Sequence, residues 1–394
     1  MFESLQAVPA DPILGLSIAY KNDENPSKVD LGVGVYKTET GETPILKSVA
    51  LAQRQRIETE TTKTYIGSAG DAGFNDKLAK LVFGEGNPVL ARQCTVSTPG
   101  GTGALRMAAE FIKRCNPGAT IWVTDPTWAN HNALFNAAGI QVKSYRYFDK
   151  DNSSVDFAGM MDALQSVPKG DVVLLHACCH NPSGADLNQA QWLAFAELAK
   201  EKGFTPLIDM AYQGFGDGLD EDAFGPRTLA ATLPEFLLTT SGSKNFGLYR
   251  ERIGALTLVG ENSTRVAILS SVIQNVARCI YSMPPAHGAA IIDIVLGSTE
   301  LTELWKTELA EMRGRIHELR SLLVDKLHAR QDKKDFSFIT KQYGMFSFLG
   351  ISKEQVHRLK DEFSVYMVDS SRMNVAGINH SNVDYLADAI TKVL

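Results

Sequence analysis

Short apolar runs recur along this chain, each followed by small or polar residues and separated by stretches of helical spacing. The runs are Thr95-Val96-Ser97, Ile121-Trp122-Val123-Thr124, residues 172–175, Pro206-Leu207-Ile208, Phe236-Leu237-Leu238 and residues 253–259. Residues 48–62, 104–113 and 189–202 have the composition and length of helices. Strands alternating with helices predict an α/β fold with a mostly parallel sheet and right-handed crossovers. Leu301, Leu304, Trp305, Leu309, Met312, Ile316, Leu319, Leu323 and Leu327 then recur at spacings of three and four, which predicts one long amphipathic helix over 300–327. A change of domain falls within that helix. Beyond it, apolar runs at 336–339, 345–348 and 365–368 and a last helix from about Asn382 predict a small α+β domain. Residues 1–43 are loop-rich. Within them Asp30-Leu31-Gly32-Val33-Gly34-Val35-Tyr36 reads either as a bent edge strand or as backbone passing close to something.

Composition narrows the class of protein. With 394 residues, 44% apolar and 21% charged, the chain can bury a large core and divide into a large and a smaller domain. The net charge is −6 and no block of like charge stands out, which argues against nucleic acid and anionic membrane as partners. No apolar run approaches the ~18 residues that a bilayer demands. Met1-Phe2-Glu3-Ser4 has neither the basic region nor the apolar core of a signal peptide. The cysteines, Cys94, Cys115, Cys178, Cys179 and Cys279, are odd in number and contain no Cys-x-x-Cys, which fits reduced thiols in a cytoplasm. The adjacent pair Cys178-Cys179 reads as two small buried residues.

The polar residues that close the runs carry the candidate chemistry, because ligands bind at the C-terminal ends of strands in open α/β sheets. Ser241-Gly242-Ser243-Lys244 puts a lysine in a small-residue turn after an apolar run, with Arg252 eight positions on. Such a lysine is a candidate amine nucleophile or an ordinary solvated turn residue. Pro99-Gly100-Gly101-Thr102-Gly103 joins a strand to a helix, which is an anion site or a packing turn. Its spacing is neither Gly-x-Gly-x-x-Gly nor that of a Walker loop, so it does not favour a dinucleotide or nucleoside triphosphate. Asp209 is a buried carboxylate in need of a partner, or a cap. Tyr212 and Trp128 are core aromatics or ring contacts, Asn181 caps a turn or binds a ligand, and His131 is a core histidine or a catalyst. Taken together they match one task. Gly101, Thr102, Ser241 and Arg252 would hold a phosphate. Asp209 would keep a ring nitrogen protonated, Tyr212 and Asn181 would bond a ring hydroxyl, Trp128 would cover the ring and Lys244 would condense with an aldehyde. These are the requirements of pyridoxal phosphate. Ser241-Gly242-Ser243-Lys244 also fits the Ser-x-x-Lys of serine acyl enzymes, but the companion Ser-Asp-Asn and Lys-Thr-Gly are missing.

The chain resembles the aspartate/aromatic aminotransferases of the fold-type I pyridoxal phosphate enzymes. The resemblance runs from Asp11-Pro12-Ile13-Leu14-Gly15-Leu16 to Asn374-Val375-Ala376-Gly377. It rests on residues 31–36, 98–105, 178–184, 209–215 and 243–249, and it is closest to the bacterial aspartate enzymes. It implies a large cofactor-binding domain over 44–311, built on a mostly parallel seven-stranded sheet flanked by helices. Residues 1–43 and 312–394 would form the small domain, joined through the 300–327 helix. Lys244 would be the Schiff-base lysine and proton shuttle, Asp209 the partner of the pyridine nitrogen, and His131 the support behind it. Ser243 would join Ser241 at the cofactor. Arg372 would clamp the substrate α-carboxylate with Asn181, Trp128 and the Gly34 backbone. In a homodimer, Arg278 would reach a distal carboxylate and Tyr65 the phosphate of the partner's site. Planar, two-pronged arginine suits both clamps. The implied reaction is ping-pong transamination between amino acids and 2-oxo acids. Val35, Lys37, Thr43 and Thr102 look like aspartate-preferring members, whereas Asp125-Pro126-Thr127-Trp128 and Gly184-Ala185-Asp186-Leu187 look like aromatic ones. Thr64 and Met283 match neither; at 283 the family often has a small polar residue.

Overall fold

The structure, a computed structural model, describes residues 2–7 and 12–394, leaving aside the side chains of 12–14; Met1 and Asp11 lie outside the described residues. Seven strands form the central sheet: β1 (Gln93–Pro99), β2 (Thr120–Asp125), β3 (Gln141–Arg146), β4 (Val172–His176), β5 (Thr205–Met210), β6 (Phe236–Ser241) and β7 (Ile253–Val259). Their order across the sheet is β1-β7-β6-β5-β4-β2-β3. Pairing is parallel except at β7, which runs antiparallel to both β1 and β6. The central strands are buried along their whole length. Burial on both faces explains why they read as unbroken apolar runs rather than alternating ones.

The antiparallel strand decides where the chemistry gathers. Parallel strands deliver the residues at their C-terminal ends to one edge of the sheet. Strand β7 delivers its N-terminal end there, so Arg252, just before it, joins the residues that follow β1, β4, β5 and β6.

Four helices position that edge: α1 (Lys47–Thr59), α2 (Gly100–Cys115), α3 (Asn130–Ala137) and α4 (Thr299–His328). The first ends three residues short of the span expected from sequence, at Glu60 in extended conformation. Its N-terminus has no cap of its own. Glu308 of α4 supplies one, accepting from Ser48 N at 3.1 Å and Ser48 Oγ at 2.6 Å. Helix α4 is also pinned to the Lys244 turn. The Trp305 indole stacks on Phe246 with centroids 4.4 Å apart and 1° between the planes, and its Nε1 donates to Asn245 O at 2.7 Å. No helix among the described residues is long and apolar enough to cross a membrane.

The two ends of the chain meet beside the sheet. Val29–Asp30 pairs in parallel with Val365–Tyr366, and Phe346–Phe348 pairs antiparallel with Arg372–Asn374. The glycine-containing run after Asp30 is not a continuous edge strand. Asn374 Nδ2 donates to Val33 O at 2.6 Å and Val35 O at 2.8 Å, and Arg372 Nη2 donates to Gly32 O at 2.8 Å. Side chains, rather than a neighbouring strand, satisfy these carbonyls. The apolar run at 336–339 leads into a 3-10 turn, Ser337–Lys341, which buries Phe336 and Ile339 three residues apart on one face.

Arg320 holds this region together. It is 1% exposed and donates to Ile339 O at 2.9 Å, Gly344 O at 2.7 Å, Phe346 O at 2.7 Å and Tyr343 O at 3.2 Å. Burial pulls its guanidinium down to about 10, with Cys179 and Asp186 opposing the shift. Arg320→Met would leave several buried carbonyls unpartnered and is expected to destabilise the protein by about 3–5 kcal/mol. Equilibrium denaturant unfolding measures this, and a loss below about 1 kcal/mol would show that the cage is not a stabilising element.

Candidate active site

A cavity of about 190 Å³ opens at the edge just described, lined by Gly101, Thr102, Ser241, Ser243 and Arg252 at one end and by Trp128, His176, Asn181, Asp209, Tyr212 and Lys244 along its walls. Its first end is the N-terminus of α2. Gly100 there has φ +71°, and a Cβ on it would fall 2.5 Å from Arg252 Nη2. A Cβ on Gly254 would fall 2.6 Å from Gly100 C and 2.6 Å from Thr240 O. Only glycine at both positions lets β7 press against the start of the helix. The free N–H groups of the first turn, the Thr102 and Ser241 hydroxyls and a guanidinium then share one place, which is the chemistry of a phosphate site. Arg252 has φ +53° and donates through Nη1 to Tyr249 O at 2.9 Å.

The wall is set by strand register. Asp209 on β5 stands directly opposite His176 on β4 and Thr239 on β6. Thr239 Oγ1 donates to Asp209 Oδ1 at 3.0 Å, and His131 Nε2 lies 3.1 Å from Asp209 Oδ2. Thr127 Oγ1 in turn lies 2.7 Å from His131 Nδ1, so the imidazole is held from both sides. Burial acts to raise the Asp209 carboxyl. The hydrogen bond and charge of His131, with His176 and Thr239, outweigh it, and the net shift is downward. The carboxylate therefore stays ionised under cover. His176 differs: burial, with His131 adding to it, pulls the ring down to about 3 against the pull of Asp209. Neither of its nitrogens has a protein partner.

Lys244 follows β6. Burial depresses its amine to about 8, with Asp209 opposing the shift and Arg252 adding to it. The amine lies 5.0 Å from the centre of the Tyr212 ring. Burial also pushes the Tyr212 phenol up, against Arg372, so that group stays a neutral hydroxyl. Trp128 stands edge-on to His131, centroids 5.2 Å apart at 89°. Arg372 lies next to the cavity. Its Nη1 donates to Asn181 Oδ1 at 3.3 Å, its guanidinium covers the Phe346 ring at 4.3 Å, and its Nε has no partner. Gly34 is close by, since a Cβ there would meet Phe346 Cζ at 2.8 Å.

The structure thus gathers Lys244, Asp209, Tyr212, Trp128, Asn181, Gly101, Thr102, Ser241, Ser243 and Arg252 in one place, with His131, Arg372 and Gly34 behind or beside them. Two residues named from sequence stay away from this cavity. Tyr65 is 91% exposed, and Arg278 is exposed with Nη1 on Ser282 Oγ. His176, Thr239 and Thr127 belong to none of the site residues that the sequence marks. For His176 and Thr239 the signal is a polar residue closing an apolar run, as in Val-Val-Leu-Leu-His, and only register shows that these two closures flank Asp209. The donor set fits pyridoxal phosphate. There is an anion cradle at one end, an ionised carboxylate for a protonated ring nitrogen, an amine of lowered basicity for an aldehyde, and unpartnered polar atoms on His176 and Arg372.

Comparison with known proteins extends the match to the whole chain. The family model for aminotransferase class I and II matches residues 26–390. The aspartate aminotransferase of Salmonella typhi is 48% identical over 396 residues, covering 100% of both chains. The aromatic-amino-acid aminotransferase of Pseudomonas aeruginosa is 50% identical, covering 100% of this chain and 98% of its own. Among solved structures, the aromatic-amino-acid aminotransferase of Burkholderia pseudomallei, covalently bound to pyridoxal phosphate, superposes with a TM-score of 0.98 at 43% identity, over 100% of this chain and 99% of the other. Site and whole-chain likeness lead to the same place: this chain belongs to the class I and II aminotransferase family.

Proposed function

We propose that the enzyme uses pyridoxal phosphate to move the amino group between L-aspartate and 2-oxoglutarate, giving oxaloacetate and L-glutamate in a ping-pong cycle. The observation that carries this reading is the buried Lys244 amine, at about 8, in one cavity with an ionised Asp209 and the phosphate cradle. Two end-to-end relatives, from Salmonella typhi and Escherichia coli, are named aspartate aminotransferases. Aromatic amino acids are the second reading, favoured by the 50% identical Pseudomonas aeruginosa relative.

Bound pyridoxal phosphate supplies an electron-withdrawing ring that accepts the electron pair left at the substrate Cα. The chain's own residues do the rest. Gly101, Thr102, Ser241 and Arg252 bind the phosphate, and Ser243 joins them at the cofactor. Asp209, held by His131 and Thr239, keeps the ring nitrogen protonated. Tyr212 and Asn181 hydrogen-bond the ring hydroxyl, and Trp128 covers the ring face and excludes water. Arg372 holds the substrate α-carboxylate beside Asn181 and Gly34. Lys244 Nζ, uncharged for a useful fraction of the time near neutral pH, would be the base that takes the proton from the substrate Cα and the shuttle that carries it toward the cofactor.

The active unit in this reading is a homodimer in which Tyr65 and Arg278 serve the partner's site. Their exposure here supports it, as do exposed Ile45, Ile57, Ile66, Ile268 and Ile280. The division into 44–311 and a small domain of 1–43 with 312–394 is supported by the strand pairs that tie 29–30 to 365–366. Unpaired cysteines, three of them buried, support a reducing cytoplasm.

Lys244→Ala is expected to bind the cofactor yet lose at least ~10⁴-fold in turnover. Multiple-turnover rates near wild type would remove the lysine from proton transfer. Arg278→Ala is expected to lower kcat/KM for aspartate by about a hundredfold and for phenylalanine by less than about fivefold. Equal losses with both substrates would argue against a distal clamp. In the cofactor-free protein, Lys244 is expected to react with an amine reagent with a midpoint near pH 8, because burial destabilises its charged form. A midpoint near the ordinary 10.5 would mean the amine is solvated.

A further inference from the structure

One carboxylate outside the cavity has a specific grip on the loop that carries Asn181. Asp186 Oδ2 accepts from Cys179 N at 2.6 Å, and Asp186 Oδ1 accepts from His180 N at 2.8 Å. Two successive backbone N–H groups on one carboxyl group form a nest, the concavity in which loops usually bind phosphates, and they oppose the burial that pushes the Asp186 carboxyl up to about 7. Here the protein fills it with its own side chain. Cys179 needs this help. Its φ is +52°, in the left-handed region that a residue with a Cβ enters at a cost.

The same short loop touches three residues of the site. Asn181 follows two positions on, lines the cavity and accepts from Arg372. Ala177 N donates to Asp209 O at 2.9 Å. Cys179 Sγ lies 3.9 Å from Tyr212 O. The loop is also closed in from outside, because a Cβ on Gly344 would fall 2.4 Å from Cys179 Cβ. We infer that Asp186 is a positioning residue for Asn181: its carboxylate holds the 179–180 turn in the strained shape that turns the Asn181 amide into the cavity. Asp186 itself does not line the cavity. The inference rests on the proposed transamination, in which Asn181 serves both the ring hydroxyl and the substrate carboxylate.

The test uses the full-length enzyme loaded with pyridoxal phosphate and assayed with aspartate and 2-oxoglutarate. Asp186→Asn keeps the size but offers one acceptor oxygen and sets an amide N–H₂ against the second backbone N–H. It is expected to raise KM for aspartate about tenfold while kcat falls less than about threefold. It should also shift the pH midpoint of the bound cofactor's absorbance by about half a unit or more. Asp156→Asn is the control. Asp156 holds Gly159 N at 3.0 Å at the start of another helix, so its loss should lower Tm and leave KM and the absorbance midpoint alone. The second variant adds Cys179→Gly to Asp186→Asn. Glycine adopts φ +52° without strain, so the turn no longer needs the carboxyl brace and KM should return to within about threefold of wild type. Should Asp186→Asn alone not fold, recovery of active enzyme in the double variant is the expected result.

Wild-type KM and absorbance midpoint in Asp186→Asn would overturn the inference, whatever its Tm. So would failure of Cys179→Gly to restore KM or folding. A wild-type enzyme that does not transaminate aspartate would instead sink the proposed reaction, which separates the two failures.

Discussion

A carboxylate shut away from water tends to take up a proton, and the centre of this protein is arranged so that Asp209 does not. The residue is 7% exposed and sits inside a sheet that is apolar on both faces. What keeps it charged is a row of neighbours whose positions are dictated by strand pairing. Thr239 donates from one side and His131 reaches down from the helix above the other, with Thr127 behind it. The same ionised group faces Lys244 and opposes the fall in its basicity. Moving one strand by a single residue would turn Asp209 to the other face and dissolve the whole arrangement.

Loops close to a ligand cannot use a sheet ladder to satisfy their backbone, yet a site that positions reactants to within a fraction of an ångström cannot tolerate slack. The protein meets both demands by bracing loops with buried side chains. Asn374 and Arg372 take the carbonyls of Gly32, Val33 and Val35, and Arg320 takes those of Tyr343, Gly344 and Phe346. Asp222 accepts from the N–H groups of Gly214, Gly216 and Asp217, just after Tyr212. Asp186 does the same for the loop before Asn181. The irregular segments around the cavity thus have buried side chains as hydrogen-bond partners where the strands have one another.

Packing carries this rigidity outward. The Trp305–Phe246 stack and the Trp305 bond to Asn245 O couple the long helix α4 to the turn that bears Lys244. Glu308, one turn further along α4, caps α1. Arg320, further still, holds the segment whose Phe346 ring lies under Arg372. One helix therefore links the lysine to the arginine that holds the substrate carboxylate in the proposed reaction, and a shift of α4 would be felt at both.

Much of this was legible in the chain itself. Apolar runs closed by polar residues mark the strands and the edge where chemistry collects, because burial on both faces forces such runs. Nine apolar positions at spacings of three and four mark α4. The residue types at 101–102, 209, 212, 241–244 and 252 match one cofactor because few ligands need an anion cradle, a buried carboxylate and a hidden amine together. What sequence left open depended on which distant segments meet. That β7 runs antiparallel, and so brings Arg252 to the cradle, follows from packing around the sheet. That His176 and Thr239 flank Asp209 follows from register. Asn181 and Arg372 are 191 residues apart, and their contact exists only once the two ends of the chain fold beside the sheet. Local pattern determines what each element is, because propensity and burial act residue by residue. Tertiary packing decides which polar groups face one another, and in a buried site that pairing sets the charge each group carries.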